Sequence, residues 1–345
     1  FAKHEFTAEF MLGSSDAESW TAKQLLELAR SRGDEKAALE WEEVSLGYTE
    51  SPGHPELRKA ISGLYGESIG PDQVLCVVPE EGIFMSMSAL LSPGDVVVAM
   101  MPAYQSLYEI ARAKGCAIRK WSATYKPGTG WSFSLEGLRQ ALQGQGGKVR
   151  MLVTNFPHNP TSWMPTRSEH AELVALCRQH QLLLFSDEMY WGMALGQGSD
   201  PESSCTRYEH AVTLGGLSKP YGLPGLRVGW LATQDAEVMA KLRQLKDYVT
   251  ICGSAPSEVL AIIALRHGEA LLQRAWATAR RNRDLLRAFC EEFPDLFEWA
   301  PEPSVGLTAF VVLRGWAARM GARGFAEWCV ERASCVSSSD APKPP

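Results

Sequence analysis

Short, unbroken apolar runs alternate with stretches of helical spacing along the first two thirds of the chain. The runs are VLCVV (74–78), DVVVAM (95–100), VRMLVT (149–154), LLLFSD (182–187), AVTLGG (211–216) and RVGWLA (227–232). Apolar runs of this length suit strands buried on both faces, and their alternation with helices predicts a mostly parallel α/β sheet with helices on both sides. Residues 21–30 have the apolar spacing of an amphipathic helix, as do residues 56–66, which follow the Ser51-Pro52-Gly53 turn. From about Lys241 the pattern becomes helical, and AFVVL (309–313) is the one clear strand. The change predicts a large α/β domain followed by a smaller α+β one.

Composition narrows the function classes. The 345 residues carry 34 Lys and Arg against 40 Asp and Glu, a net charge of −6, the wrong sign for a nucleic-acid footprint. With 45% hydrophobic and 21% charged residues the chain has the makeup of a globular protein and not a disordered one. Its eight cysteines show no CxxC pair, so zinc spacing is absent and a reducing compartment is expected. No charged-then-apolar leader and no run near ~18 apolar residues is present, which leads to the expectation of a cytoplasmic protein without a membrane span.

Open α/β sheets place ligands at the carboxyl ends of their strands, so the residues after each run carry the chemistry. After 149–154 come Asn159-Pro160-Thr161; after 182–187 come Asp187 and Tyr190; after 211–216 come Ser218, Lys219 and Arg227. An amide, a carboxylate, a phenol, an amine and a guanidinium are expected to converge on one edge.

This set resembles the fold type I pyridoxal-phosphate enzymes, the class I/II aminotransferases. The resemblance runs from Gly13 to about Leu313 and includes GYTESPGHPELRKAI (47–61), PGDVVVAMMPAYQSL (93–107), the Asn-Pro-Thr turn, Asp-x-x-Tyr, and Ser-Lys with Arg eight residues on. It implies that Lys219 holds pyridoxal 5'-phosphate as a Schiff base and then moves the substrate's Cα proton. Asp187 would keep the ring nitrogen protonated, so that the ring acts as an electron sink. Tyr190 and Asn159 would hydrogen-bond the cofactor's phenolate oxygen, Arg227 would hold its phosphate, and Ser218 would also lie against the cofactor. Tyr104 would stack on the ring, Tyr48 would reach a partner subunit's phosphate across a homodimer interface, and Gly13 would line the substrate side. The large cofactor-binding domain is then expected over residues 41–250. Residues 1–40 and 251–335 would form the small domain, lacking its C-terminal end, with residues 336–345 a disordered tail.

Three positions depart from the family pattern. The phosphate loop reads VVPEEGIF (77–84), where Glu80, Glu81 and Gly82 supply backbone donors at a helix start while two carboxylates face the helix dipole or a cationic substrate group. Gly216 replaces a serine that contacts the phosphate in many members. The late strand whose arginine binds the substrate α-carboxylate has no counterpart before CVSSSDAPKPP; Arg314 is the nearest arginine and is not assigned that role.

The resemblance implies an aminotransferase moving an amino group between an amino acid and a 2-oxo acid. The alternatives are a lyase or cyclase acting on a β-substituted amino acid, of the capreomycidine synthase type, and a truncated pseudoenzyme. Neither length nor charge leaves room for the basic helix-turn-helix domain of a regulator with this fold.

Overall fold

The computed structural model describes residues 10–144, 146–193, 202–299, 306–333 and 335–336. Its centre is a seven-stranded sheet made of β1 (Val74–Val77), β2 (Val96–Met101), β3 (Ala117–Ser122), β4 (Val149–Asn155), β5 (Leu183–Asp187), β6 (Ala211–Gly216) and β7 (Gly229–Ala232). The spatial order is β1-β7-β6-β5-β4-β2-β3, and β7 alone runs antiparallel to its two neighbours. Each of the six apolar runs forms a strand. The seventh, β3, is an edge strand whose sequence AIRKWS alternates instead of running apolar, and most of its residues stay partly exposed.

Side-chain alternation divides the sheet between two cores. Along β2, Val97 and Ala99 join Ile83, Met87, Leu107 and Leu242 from helices Pro79–Leu90, Ser106–Ala113 and Ala236–Lys246. Val96, Val98 and Met100 point the other way, onto Leu138, Leu173 and Val174 from helices Leu135–Gln143 and Arg167–His180. Each such fully buried aliphatic side chain contributes roughly 1.5–3 kcal/mol of transfer free energy. A third core gathers helices Ala22–Ser31, Pro55–Gly63 and Ala255–Arg266 around Val74, Leu217 and Trp230. The first and last of these helices, read from sequence as parts of the smaller domain, thus share a core with the sheet.

Toward the C-terminus, helix Gly268–Glu292 leads to a two-stranded pairing of Phe297–Glu298 with Val312–Leu313. The strand expected over 309–313 is therefore shorter than expected. The preceding segment is tied sideways to the large domain: Trp131 Nε1 donates to the Phe310 carbonyl at 3.1 Å, and Ser162 Oγ donates to that of Thr308 at 2.5 Å. The tail 337–345 lies outside the described residues, among which no helix is long and apolar enough to cross a membrane.

Candidate active site

Asp187 ends β5 in register with Asn155 at the end of β4. Its carboxylate Oδ1 accepts from the Met189 N–H at 3.0 Å, and burial pushes the carboxyl up to about 7. The Met189 bond and the charge of Lys219 oppose that rise, while Glu188 and Glu80 add to it. Asn155 joins three elements: its Nδ2 donates to the Asp187 carbonyl at 3.0 Å, and its Oδ1 accepts from the Asn159 N–H at 2.7 Å. That bond seats the Asn-Pro-Thr turn beside Asp187, and Asn159 Nδ2 then lies 3.5 Å from the Tyr190 hydroxyl. Tyr190 is buried, which drives its phenol well up, and Ser15 hydrogen-bonds it from the N-terminal segment.

Lys219 follows β6 by three residues. Its Nζ donates to Asp16 Oδ1 at 2.5 Å and to Ser15 Oγ at 3.1 Å. The glycines before it allow close packing: a Cβ on Gly216 would stand 2.9 Å from Met189 Cε and 3.3 Å from the Cα of Gly229. A serine at that position would require the flexible end of the Met189 side chain to shift. Next to Lys219, the buried Ser218 hydroxyl has no hydrogen-bond partner among the described residues. Helix Pro79–Leu90 starts close by, since a Cβ on Gly229 would meet Pro79 Cγ at 2.9 Å. Arg227, two residues before β7, is exposed, and one of its terminal nitrogens donates to the Pro224 carbonyl at 3.1 Å. Its charge also acts on Asp16.

The helix start itself differs from the sequence expectation. Glu81 turns away from the site: one oxygen accepts from its own helix's Val78 N–H at 3.1 Å, and the other accepts from Thr250 Oγ1 at 2.5 Å and lies 3.9 Å from Lys246 Nζ. Gly82 donates its N–H to the Val78 carbonyl at 2.9 Å, so it is a helix residue and not a free donor. A Cβ at Gly82 would stand 3.0 Å from Val77 and 3.1 Å from Leu214, so the residue serves close packing on the sheet. Glu80 alone faces the site, where it hydrogen-bonds Tyr104. Tyr104 is 49% exposed, and its phenol is raised first by burial, then by the charge of Glu80 and, less, by that of Asp187.

Tyr48 stands outside this constellation, 91% exposed to solvent, and Gly13 lies in the turn that leads into the Ser14–Trp20 strap. Arg314 pairs with Glu298, away from Lys219.

Sequence reasoning passed over four residues. Asp16 and Ser15 touch the Lys219 amine across more than two hundred residues of sequence, and only the triplet Ser-Ser-Asp marks them. Asn155 had a signal, an amide closing an apolar run. His158 is buried within the turn, with Nε2 2.8 Å from the Pro102 carbonyl and Nδ1 2.8 Å from Thr161 Oγ1. A carbonyl can only accept, so Nε2 carries the proton and Nδ1 accepts from Thr161. Burial lowers this imidazole to about 3, and the neutral ring ties the Asn-Pro-Thr turn to the loop that carries Tyr104.

A cavity of about 390 Å³ opens against Asp16 and against Pro220, the residue after Lys219. Its walls include Asp16, Trp20, Pro220 and Gly222 on one side and Thr278, Asn282 and Thr308 on the other.

Comparison with known proteins shows the family and the fold. The sequence pattern of the family "Aminotransferase class I and II" matches residues 13–336. Capreomycidine synthase of Streptomyces vinaceus is 30% identical over 262 residues, which cover 75% of this chain and 65% of that protein. The chain thus spans slightly less than two thirds of that relative's length. Among solved structures, a PLP-dependent aminotransferase from Streptococcus suis superposes with a TM-score of 0.86 at 27% identity, covering 97% of this chain and 86% of the other. A PLP-dependent cyclase, OrfR, gives 0.85 at 26% identity, covering 97% and 85%.

Proposed function

We propose that this chain, which belongs to the class I and II aminotransferase family and has pyridoxal phosphate as its cofactor, moves an amino group between an amino acid and a 2-oxo acid, with Lys219 as the reactive amine. The observation that carries the reading is the convergence of Lys219, Asp187, Tyr190 and Asn159 at the carboxyl ends of β4, β5 and β6.

The donor set fits the cofactor. Asp187 is a buried carboxyl with no cation in hydrogen-bond contact among the described residues, suited to a protonated ring nitrogen, and such a partner would return it to the anion. Ser218, with its unpartnered hydroxyl, the start of helix Pro79–Leu90, and Arg227 are suited to a phosphate. Asn159 and Tyr190 present an amide and a phenol to one oxygen, and Tyr104 offers an aromatic face. When bound, pyridoxal phosphate supplies the electron sink that stabilises negative charge at the substrate α-carbon.

The protein's own residues then do the following. Asp187 holds the proton on the ring nitrogen. Lys219 takes the proton from the α-carbon and delivers it, a task suited to an amine on a flexible stem. Tyr190 and Asn159 fix the orientation of the ring oxygen, and the cavity beside Asp16 admits the substrate.

A homodimer belongs to this proposal, with Tyr48 acting at the partner's site. The segments bearing exposed Leu46, Tyr48, Tyr248 and Ile251 are neighbours, because Ser51 Oγ donates to Asp247 at 2.7 Å and Thr49 Oγ1 donates to Glu258 at 2.7 Å. Apolar surface of this kind favours association. A cytoplasmic setting and a division into domains at about residues 40 and 250 are also proposed.

The likeness to capreomycidine synthase and to OrfR favours one second reading, elimination and ring closure on a β-substituted amino acid. Product analysis by mass spectrometry separates the two. Transfer of the amino nitrogen to an added 2-oxo acid supports transamination. Loss of the β-substituent with a cyclic product and no transfer supports the cyclase.

A further inference from the structure

The N-terminal strap lies across the site and presents an anion to it. Asp16 Oδ1 is 2.5 Å from Lys219 Nζ, and Ser15 Oγ is 3.1 Å from the same nitrogen. The strap is held in place independently of that pair. Trp20 donates its N–H to the Gly222 carbonyl at 3.1 Å, Glu18 pairs with Arg274 at 3.0 Å, and the Arg274 guanidinium lies 4.4 Å above the Trp20 ring. Gly222 adopts φ +66°, and a Cβ there would stand 2.7 Å from the Glu18 carbonyl oxygen, so the strap rests directly on the turn after Lys219.

The charged and titratable groups around the amine are Asp16, Asp187, Tyr190 and Arg227. Asp16 is the one in hydrogen-bond contact. Burial works to raise its carboxyl, but the bond and charge of Lys219 hold it below the ordinary value, as an anion. Asp16 also lines the cavity through which substrate is proposed to enter.

We propose that Asp16 and Ser15 form a seat for a primary ammonium, which holds Lys219 while that amine is free and receives the α-ammonium of the incoming amino acid when Lys219 is engaged. Both amines are primary, both must reach the same reacting atom, and a seat built for one suits the other. A 2-oxo acid carries no ammonium and gains nothing from Asp16. The inference rests on the pyridoxal-phosphate reading and adds to it a residue that discriminates amino from oxo substrate.

The test compares wild type, Asp16→Asn and Lys219→Ala. With added pyridoxal phosphate, a visible band in wild type and Asp16→Asn that is absent in Lys219→Ala establishes the cofactor reading separately. In the loaded proteins, Asp16→Asn is expected to raise KM for the amino donor about tenfold while leaving KM for the oxo acid unchanged. In the full chain without cofactor, labelling of Lys219 by trinitrobenzenesulfonate at one fixed pH, read by mass spectrometry, is expected to be faster in Asp16→Asn. The charge-assisted hydrogen bond that occupies the amine is then gone. An unchanged labelling rate overturns the Asp16–Lys219 pairing. An unchanged donor KM, or an equal rise for the oxo acid, overturns the seat for substrate. A wild type without the Lys219-dependent band overturns the cofactor reading and the substrate seat with it, and leaves the labelling to decide the pairing.

Discussion

Asn155 and Asp187 face each other across the last rung between β4 and β5, and the Asn155 side chain caps that rung by donating to the Asp187 carbonyl at 3.0 Å. The Phe156 N–H donates to the same carbonyl at 2.9 Å. The Asn155 carboxamide oxygen meanwhile holds the Asn159 N–H. One buried amide therefore sets the distance between Asp187 and the turn that approaches Tyr190.

Replacing Asn155 with Ala removes two buried hydrogen bonds and leaves the Asn159 N–H without its acceptor, at a cost of roughly 1–3 kcal/mol, while the Asp187 carbonyl keeps the Phe156 N–H. Urea denaturation should show that loss, and titration with pyridoxal phosphate should show weaker binding although Asn155 itself is not placed against the cofactor.

Asp187 carries opposite consequences for stability and activity. Its folded value of about 7 exceeds the ordinary 3.8, so the cofactor-free folded chain binds a proton that the unfolded chain has released. Stability tied to this group is full below about pH 4 and is lost as pH rises through 7, a change on the order of 4 kcal/mol. Asp187→Asn should therefore stabilise the cofactor-free protein at pH 8 and have little effect at pH 4, as denaturant midpoints at the two pH values will show. The same variant should lower kcat of the loaded enzyme by roughly 10²–10³, because the charge that holds the ring proton is gone.

His158 should stay neutral throughout the physiological range. Its folded value of about 3 lies below the ordinary 6.5, so its contribution is intact above pH 6.5 and is lost as pH falls toward 3. In nitrogen-15 NMR, its ring should show no titration between pH 5 and 8, with the proton on Nε2. His158→Ala should release the Tyr104 loop from the Asn-Pro-Thr turn and weaken cofactor binding, measured by equilibrium titration.

Gly222→Ala should lift the strap. The left-handed backbone and the contact with the Glu18 carbonyl both oppose a Cβ, at a cost of about 1 kcal/mol or more. Hydrogen exchange at the Trp20 amide, which donates to Gly222, should accelerate in the variant while exchange in β4 and β5 is unchanged.

The buried part of the fold was legible because strands covered on both faces must be apolar throughout, as β2 and β6 are. The edge strand β3 escaped because it is only partly covered on either face, so the consecutive Arg119 and Lys120, which point to opposite faces, break the apolar run. Lys219, Asp187, Tyr190 and Asn159 could be read from their places after the strands, since sheet topology brings strand ends together whatever the sequence distance. Asp16 could not be found that way. It reaches Lys219 from a segment without regular structure, and no local pattern records a contact made by the path of a strap. The carboxylate of Glu81, expected at the helix dipole or a substrate group, caps its own helix at the Val78 N–H and meets the Thr250 hydroxyl, whereas Gly82, expected as a free backbone donor, spends its N–H on the Val78 carbonyl.

The central claim is that Lys219 is the amine around which the cofactor site is built. Visible absorption of wild type and Lys219→Ala, each titrated with pyridoxal phosphate and then with a panel of amino acids, tests it most directly. The account predicts a visible band in wild type alone, converted by a productive amino acid and restored by a 2-oxo acid. An identical spectrum in the two proteins would contradict it.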